Sequence, residues 1–118
     1  MSITRPIPAA LRRKMDAQPY YHRCAITGTR SGPYAKIDWH HAFTFKGQRV
    51  NEEWCIIPLL KRIHDKASTK EVKDFVDYLI LNRADEATLR RYSKAEDLVA
   101  KRDRLNKRYA NPKDHPIL

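Results

Sequence analysis

The sequence predicts a small α+β fold: a β-hairpin with a helix directly after it, preceded by a short helix and followed by a helical extension. Three observations predict it. Two runs rich in aromatic and β-branched residues, "YAKIDWHHAF" and "WCIIPLL", flank a polar loop, "FKGQRVNEE", that contains a glycine. The second run leads straight into "LLKRIHDKA", which has helical character after Pro58. Beyond it, two S-x-x-E matches, Ser68 with Glu71 and Ser93 with Glu96, read as capping boxes opening helices.

Taken in order, "RPIPAALRRKMDAQPYY" reads as a short helix entered at Pro8 and closed before Pro19. "CAITGTRSGPYA" is turn chemistry, with two of the three glycines and a Gly-Pro pair. The first strand places Ile37 and Trp39 on one face, and Pro58 is expected to end the second strand. Val72, Phe75, Val76, Leu79 and Ile80 form one stripe of the helix after Ser68, the spacing of a buried face. A short helix is expected from Asp85 to Arg91, then a basic helix to about Tyr109 with Leu98, Leu105 and Tyr109 along one side. "NPKDHPIL" closes the chain as a tail. The 118 residues are read as one domain, with a core at about 24–67 and a helical extension at about 68–110.

Composition narrows the function classes. No run approaches the ~20 apolar residues needed to cross a bilayer, and "MSITRPIPAALRRKMD" lacks a signal-peptide core. An intracellular location without membrane association is therefore expected. Cys24 and Cys55 are two cysteines only, too few for a disulfide framework, and are expected to be free thiols. The formal net charge of +10 points to a polyanionic partner, nucleic acid before an acidic membrane surface. Residues 1–34 carry net +5 and residues 83–118 net +4, whereas residues 35–82 carry only +1. A nearly neutral middle between basic arms suits arms that hold phosphates while the middle acts on them. Arg12, Arg13, Lys14, Arg30, Lys61 and Arg62 are the candidate nucleic-acid contacts. Solubility alone also accounts for such charge.

That middle contains three of the five histidines: His40 and His41 side by side, and His64 after an apolar run. His22 and His115 stand apart and are not assigned to a site. The order "WHHA", Asn51, "IIPLL", His64 resembles the HNH endonuclease family, whose ββα-metal core is a hairpin and a helix around one metal ion. Small phage-type members are the most similar, with "WHH" ahead of a glycine-containing loop and an "N-E-x-W" segment. The resemblance covers about Cys24 to Ala67, and it implies a DNA endonuclease of a phage or prophage, working in the cytoplasm of a bacterial host. By position it assigns His41 as general base, Asn51 as a positioning residue, and His40 and His64 as ligands of one divalent ion, with Asp38 in reserve.

The chemistry fits those residue types. Phosphodiester hydrolysis needs a nucleophile made from water, a cation against developing negative charge, and help for the leaving oxygen. A neutral imidazole takes a proton from water near physiological pH. Imidazole ligands suit Zn, Ni, Co or Mn better than Mg, and Mg is retained as a candidate.

Two departures from the family pattern are visible. Many members hold a structural zinc through two C-x-x-C pairs, but here only Cys24 stands at such a position, while Leu60 and Ile63 occupy the second pair. Four ligands are needed, so no structural zinc is expected. Leu60 and Ile63 would instead contribute apolar burial of about 1.5–3 kcal/mol each, with Cys24 an inert core thiol. The family's Asn commonly precedes the helix histidine by nine residues, a place held here by Cys55, so Asn51 either fills the role from a longer loop or is a loop residue only.

Neighbouring residues on a regular strand face opposite ways, so a shared site for His40 and His41 predicts that pairing breaks there. In the opposite-face alternative, one of the two is merely buried. Two other functions stay open: a non-catalytic nucleic-acid-binding module that keeps the HNH frame, and a small phage protein that modulates a host complex through its helices. The basic helix near the C-terminus either follows a phosphate backbone or makes a homodimer contact.

Overall fold

A computed structural model describes residues 6–118. Helices and two small antiparallel sheets make an α+β fold. The chain divides into two compact units, residues 1–66 with Leu118 and residues 67–117. No helix among the described residues is long and apolar enough to cross a membrane.

In the first unit, Pro8 caps helix α1 (Ala9–Asp16) at its N-terminus. The fixed φ of proline is compatible with that place, and its missing N–H is no loss there. Met15 of α1 is fully buried with Tyr21 and Ile56, and Ile7, Leu11 and Trp39 pack around them. This cluster seats α1 beside strand β1 (Ile37–His41). The Tyr21 hydroxyl reaches the carbonyls of Glu53 and Ile56 at 3.0 and 3.1 Å, and the Trp39 indole N–H donates to the Tyr21 carbonyl at 2.9 Å. His22, unassigned from sequence, closes α1: its Nε2 lies 2.7 Å from the Asp16 carbonyl, where an N–H satisfies an otherwise open acceptor.

The loop after β1 is more ordered than its polar composition suggests. Strands β2 (Thr44–Phe45) and β3 (Gln48–Arg49) form a small hairpin within it. Lys46 and Gly47 turn the chain with φ of 53° and 76°. Positive φ at both central residues is the signature of the tight turn that matches strand twist. The chain then passes a 3-10 turn, Glu53–Cys55, into strand β4 (Ile56–Leu60).

All five residues of β4 are buried, as expected for a continuous apolar run. β4 pairs antiparallel with β1 in the register Ile37↔Leu60, Trp39↔Pro58, His41↔Ile56. Pro58 therefore does not end the strand, as sequence reasoning expected, but sits at its centre. Lys61 N donates to the Lys36 carbonyl and Ala42 N to the Cys55 carbonyl, so the hydrogen-bonded pairs fall at even positions of β1. Pro58 faces an odd position, and its carbonyl accepts from Ala25 N on the other side. Its missing N–H would have pointed away from β1, so no ladder bond is lost. Helix α2 (Lys61–His64) follows at once.

The second unit packs α3 (Lys70–Leu81) and α4 (Glu86–Arg91) against α5 (Leu98–Arg108). Val72, Phe75, Val76 and Ile80 of the expected stripe are buried, with Leu79 half-buried. Neither capping box forms. α3 starts one residue later than read, with Thr69 as N-cap and no side-chain cap bond. α5 is capped by Asp97, which accepts from Ala100 N at 3.0 Å. Ser93 instead links two helices, donating to the Leu89 carbonyl and accepting from Leu98 N. Asp85 caps α4 by accepting from Thr88 N; that backbone bond holds its carboxyl below the ordinary range.

One charged group is buried in this unit. Asp77 bonds Lys73 and Lys101, each at 3.0 Å. His115, also unassigned from sequence, lies among Phe75, Tyr78 and Tyr109 and donates from Nε2 to the Tyr109 carbonyl at 2.9 Å. The closing tail is thus held by an aromatic cluster.

Candidate functional site

β1 remains paired to its end and beyond, since Ala42 N still bonds the Cys55 carbonyl at 2.8 Å. The predicted break at His40–His41 is absent. Regular pairing costs the backbone nothing here, because β4 offers a partner at every position. The two histidines consequently face opposite ways and have different partners.

On one face, the rings of His40 and His64 lie with centroids 4.9 Å apart. His64 Nδ1 is 2.9 Å from Asp38 Oδ2, and the other Asp38 oxygen is 3.8 Å from Lys36 Nζ. Asp38 and His40 share this face because they are two residues apart on the strand. An ionised carboxylate only accepts, so Nδ1 of His64 carries the proton, and in the neutral ring Nε2 presents its lone pair. Asp38 thus orients a histidine, a use different from the reserve ligand expected of it.

On the other face, His41 Nε2 lies 2.8 Å from Asn51 Oδ1, and Asn51 Nδ2 donates to the Pro6 carbonyl at 3.1 Å. This chain of bonds has one solution. The Pro6 carbonyl can only accept, so the amide nitrogen must face it and the amide oxygen must face His41. Nε2 of His41 is therefore the N–H, and in the neutral ring Nδ1 holds the free lone pair. Asn51 reaches His41 from the loop position four residues before Cys55. Cys55 itself is fully buried.

A divalent ion would set a geometric condition on the His40 and His64 rings. Two imidazoles that share one ion through bonds of ~2.0–2.1 Å place their centroids roughly 4.5–5.2 Å apart at angles of about 90–110°. The His40–His64 separation of 4.9 Å falls in that range. Among the described residues, no group of three His, Cys, Asp or Glu side chains converges to hold a metal. His40 and His64 are the two residues that would hold an ion here, and Asp38 is hydrogen-bonded to His64.

Leu60 and Ile63 are both buried. Cys24 is buried too. Burial pushes its thiol up, but hydrogen bonds from the Thr27 side chain and from the backbone at Leu60, Thr27 and Ile26 outweigh that and hold it below its ordinary value.

The basic candidates do not all converge. Arg12 lines a surface cleft of about 540 Å³ together with Ile7, Ile37, Asp38, Trp39 and His64. Arg13 and Lys14 follow at ~100° steps around α1 and are exposed away from it. Arg30 is exposed in the turn region, and Arg62 reaches the Leu118 carbonyl at 3.5 Å. Lys61 is tied to Asp65 at 2.9 Å, a bond that raises its pKa. Sequence reasoning did not find the Asp38–His64 bond, the Pro6 carbonyl on Asn51, or Trp39 as a cleft wall. Only the i, i+2 spacing of Asp38 and His40 hinted at the first.

Comparison with protein-family models, curated proteins and solved structures returned no match.

Proposed function

We propose that the protein is a metal-dependent endonuclease acting on DNA, with a ββα-metal core built from β1, β4 and α2. The observation that carries this reading is the pinned amide of Asn51, which leaves His41 with a defined N–H at Nε2 and a lone pair at Nδ1. A general base requires that definition, because a ring that alternates tautomers spends part of its time with an N–H, and no lone pair, at the nitrogen that faces the water. His41 Nδ1 takes the proton from the attacking water, and Asn51 holds the ring in place as positive charge forms on it.

A divalent ion held by His40 and His64 would supply charge against the phosphate and the leaving oxygen. Asp38 keeps Nε2 of His64 available by occupying Nδ1. His40 and His41 are the last two residues of β1 but face opposite ways, so hydrolysis through both requires a substrate strand that wraps around the end of β1. The net charge of +10 favours such a polyanion over neutral substrates. The resemblance to small phage HNH members supports a phage or prophage origin and action in a bacterial cytoplasm.

The regular pairing through His41 favours a second reading, a nucleic-acid-binding module without hydrolysis, since binding needs no site shared between the two faces. Plasmid cleavage with Mg, Mn, Ni, Co or Zn, with and without EDTA and beside His41→Ala, separates the two. The endonuclease nicks or cuts the plasmid only with metal and only with His41. Tight, salt-sensitive binding with no cleavage under any metal establishes the module instead.

A further inference from the structure

The cleft beside β1 has features that the two histidine dyads do not explain. It runs along the edge of β1 that no strand pairs among the described residues. Its walls combine one cation, one large aromatic ring and two isoleucines: Arg12, Trp39, Ile7 and Ile37. The Arg12 guanidinium stands 5.8 Å from the Trp39 ring centroid. No carboxylate among the described residues forms an ion pair with Arg12, and residues 1–5 contain none. The acid across the cleft, Asp38, is already engaged by His64 and Lys36, which offsets its repulsion toward an anion.

The Trp39 indole N–H is spent on the Tyr21 carbonyl, and its ring packs edge-on against Tyr21. The indole is therefore held in one orientation and offers the cleft aromatic surface without a polar donor. A guanidinium without an ion pair, above an immobilised ring and beside aliphatic walls, suits a ligand with both a phosphate and a planar apolar part. The volume of about 540 Å³ admits one such unit.

We propose that this cleft binds a single unstacked nucleotide of a nucleic-acid strand, its phosphate on Arg12 and its base or sugar against Trp39. This rests on the nucleic-acid part of the proposed function and not on hydrolysis. An unstacked base is available in single-stranded or frayed segments and not within a duplex, so the cleft makes the protein prefer single strands. The cleft is also continuous with His64, so the nucleotide it holds lies next to the proposed metal ligands.

The test is fluorescence anisotropy in EDTA, where no chemistry occurs, with a labelled oligothymidylate and a labelled hairpin duplex of equal charge. Thymidine, thymidine monophosphate and inorganic phosphate serve as competitors. Arg12→Gln is compared with Arg13→Gln, which removes the same charge one residue along the same exposed helix, and circular dichroism checks folding of both. The expected result is a single-strand affinity at least tenfold above the duplex affinity. Arg12→Gln lowers it about tenfold, Arg13→Gln about twofold. Thymidine monophosphate competes better than thymidine or phosphate alone, and tryptophan emission falls on binding. Equal losses for the two variants, or equal affinity for duplex and single strand, overturn the proposal. Competition by phosphate as good as by the nucleotide reduces the cleft to an anion site and overturns it as well. If single-strand preference holds while no metal supports cleavage, the endonuclease reading fails and this one stands.

Discussion

Asp38 Oδ2 lies 2.9 Å from Nδ1 of His64, a contact spanning 26 residues of sequence between the start of β1 and the end of α2. A carboxylate behind an imidazole fixes which nitrogen faces outward and raises its basicity toward a metal. Asp38→Ala is expected to weaken divalent-metal binding about 10–100-fold, with Asp38→Asn intermediate because its amide oxygen can still accept. Isothermal titration with Mn or Ni measures this. Unchanged affinity in Asp38→Ala would remove Asp38 from the site.

Asn51 acts on His41 as Asp38 acts on His64, but through an amide anchored to the Pro6 carbonyl. For the proposed endonuclease activity, Asn51→Ala is expected to lower kcat about 10–100-fold and to change KM less than twofold, because only the orientation of the His41 ring is lost. Asn51→Asp keeps an acceptor facing Nε2 and should recover part of the loss. A parallel rise in KM, with no recovery by Asp, would mark Asn51 as a loop residue only.

In the helical unit, stability depends on one buried charge. Burial opposes the Lys101 ammonium, but Asp77 and then Glu96 outweigh it and raise its pKa. A pKa raised in the folded state means the contribution is full below the ordinary lysine value and is lost as pH rises through the raised one. Asp77→Asn should therefore cost about 2–3 kcal/mol at neutral pH, as a half-buried cation loses the nearer of its two carboxylates and keeps only Glu96 at 3.3 Å. Urea unfolding at pH 7 and pH 11 should show the difference from wild type shrinking at the higher pH. A pH-independent difference would assign the cost to packing.

The turn at Lys46-Gly47 sets the small hairpin between the two long strands. Gly47 has φ of 76°, where a Cβ meets its own backbone. Nothing lies within 4 Å of the place a Cβ would take, so any cost of Gly47→Ala is backbone strain, about 1–2 kcal/mol. Lys46→Asn, which tolerates the φ of 53° better, should be neutral or slightly stabilising. Thermal unfolding of both variants measures this; an unaffected Gly47→Ala would mean that the turn readily changes type.

Much of the fold was legible in the sequence for local reasons. The apolar run of β4 and the stripe of α3 carry their periodicity whatever surrounds them, and Asp85 announces the start of α4 where it stands. Boundaries were less legible where tertiary bonds compete for the same side chain. Ser93 resembled a cap until Leu89 and Leu98 claimed its hydroxyl, and Pro58 resembled a stop because only the pairing register shows which way its nitrogen points.

The candidate site divides along the same line. Which groups are available is read directly from the residues: the adjacent histidines, the asparagine, the third histidine after the apolar run, and the excess of positive charge. The tertiary structure alone decided who partners whom. A regular strand separates His40 from His41, long-range bonds select Asp38 for His64 and Asn51 for His41, and the Met15–Tyr21–Ile56 cluster brings Arg12 beside Trp39. These pairings are set by register and by packing between segments distant in sequence, and neither spacing nor composition encodes them directly.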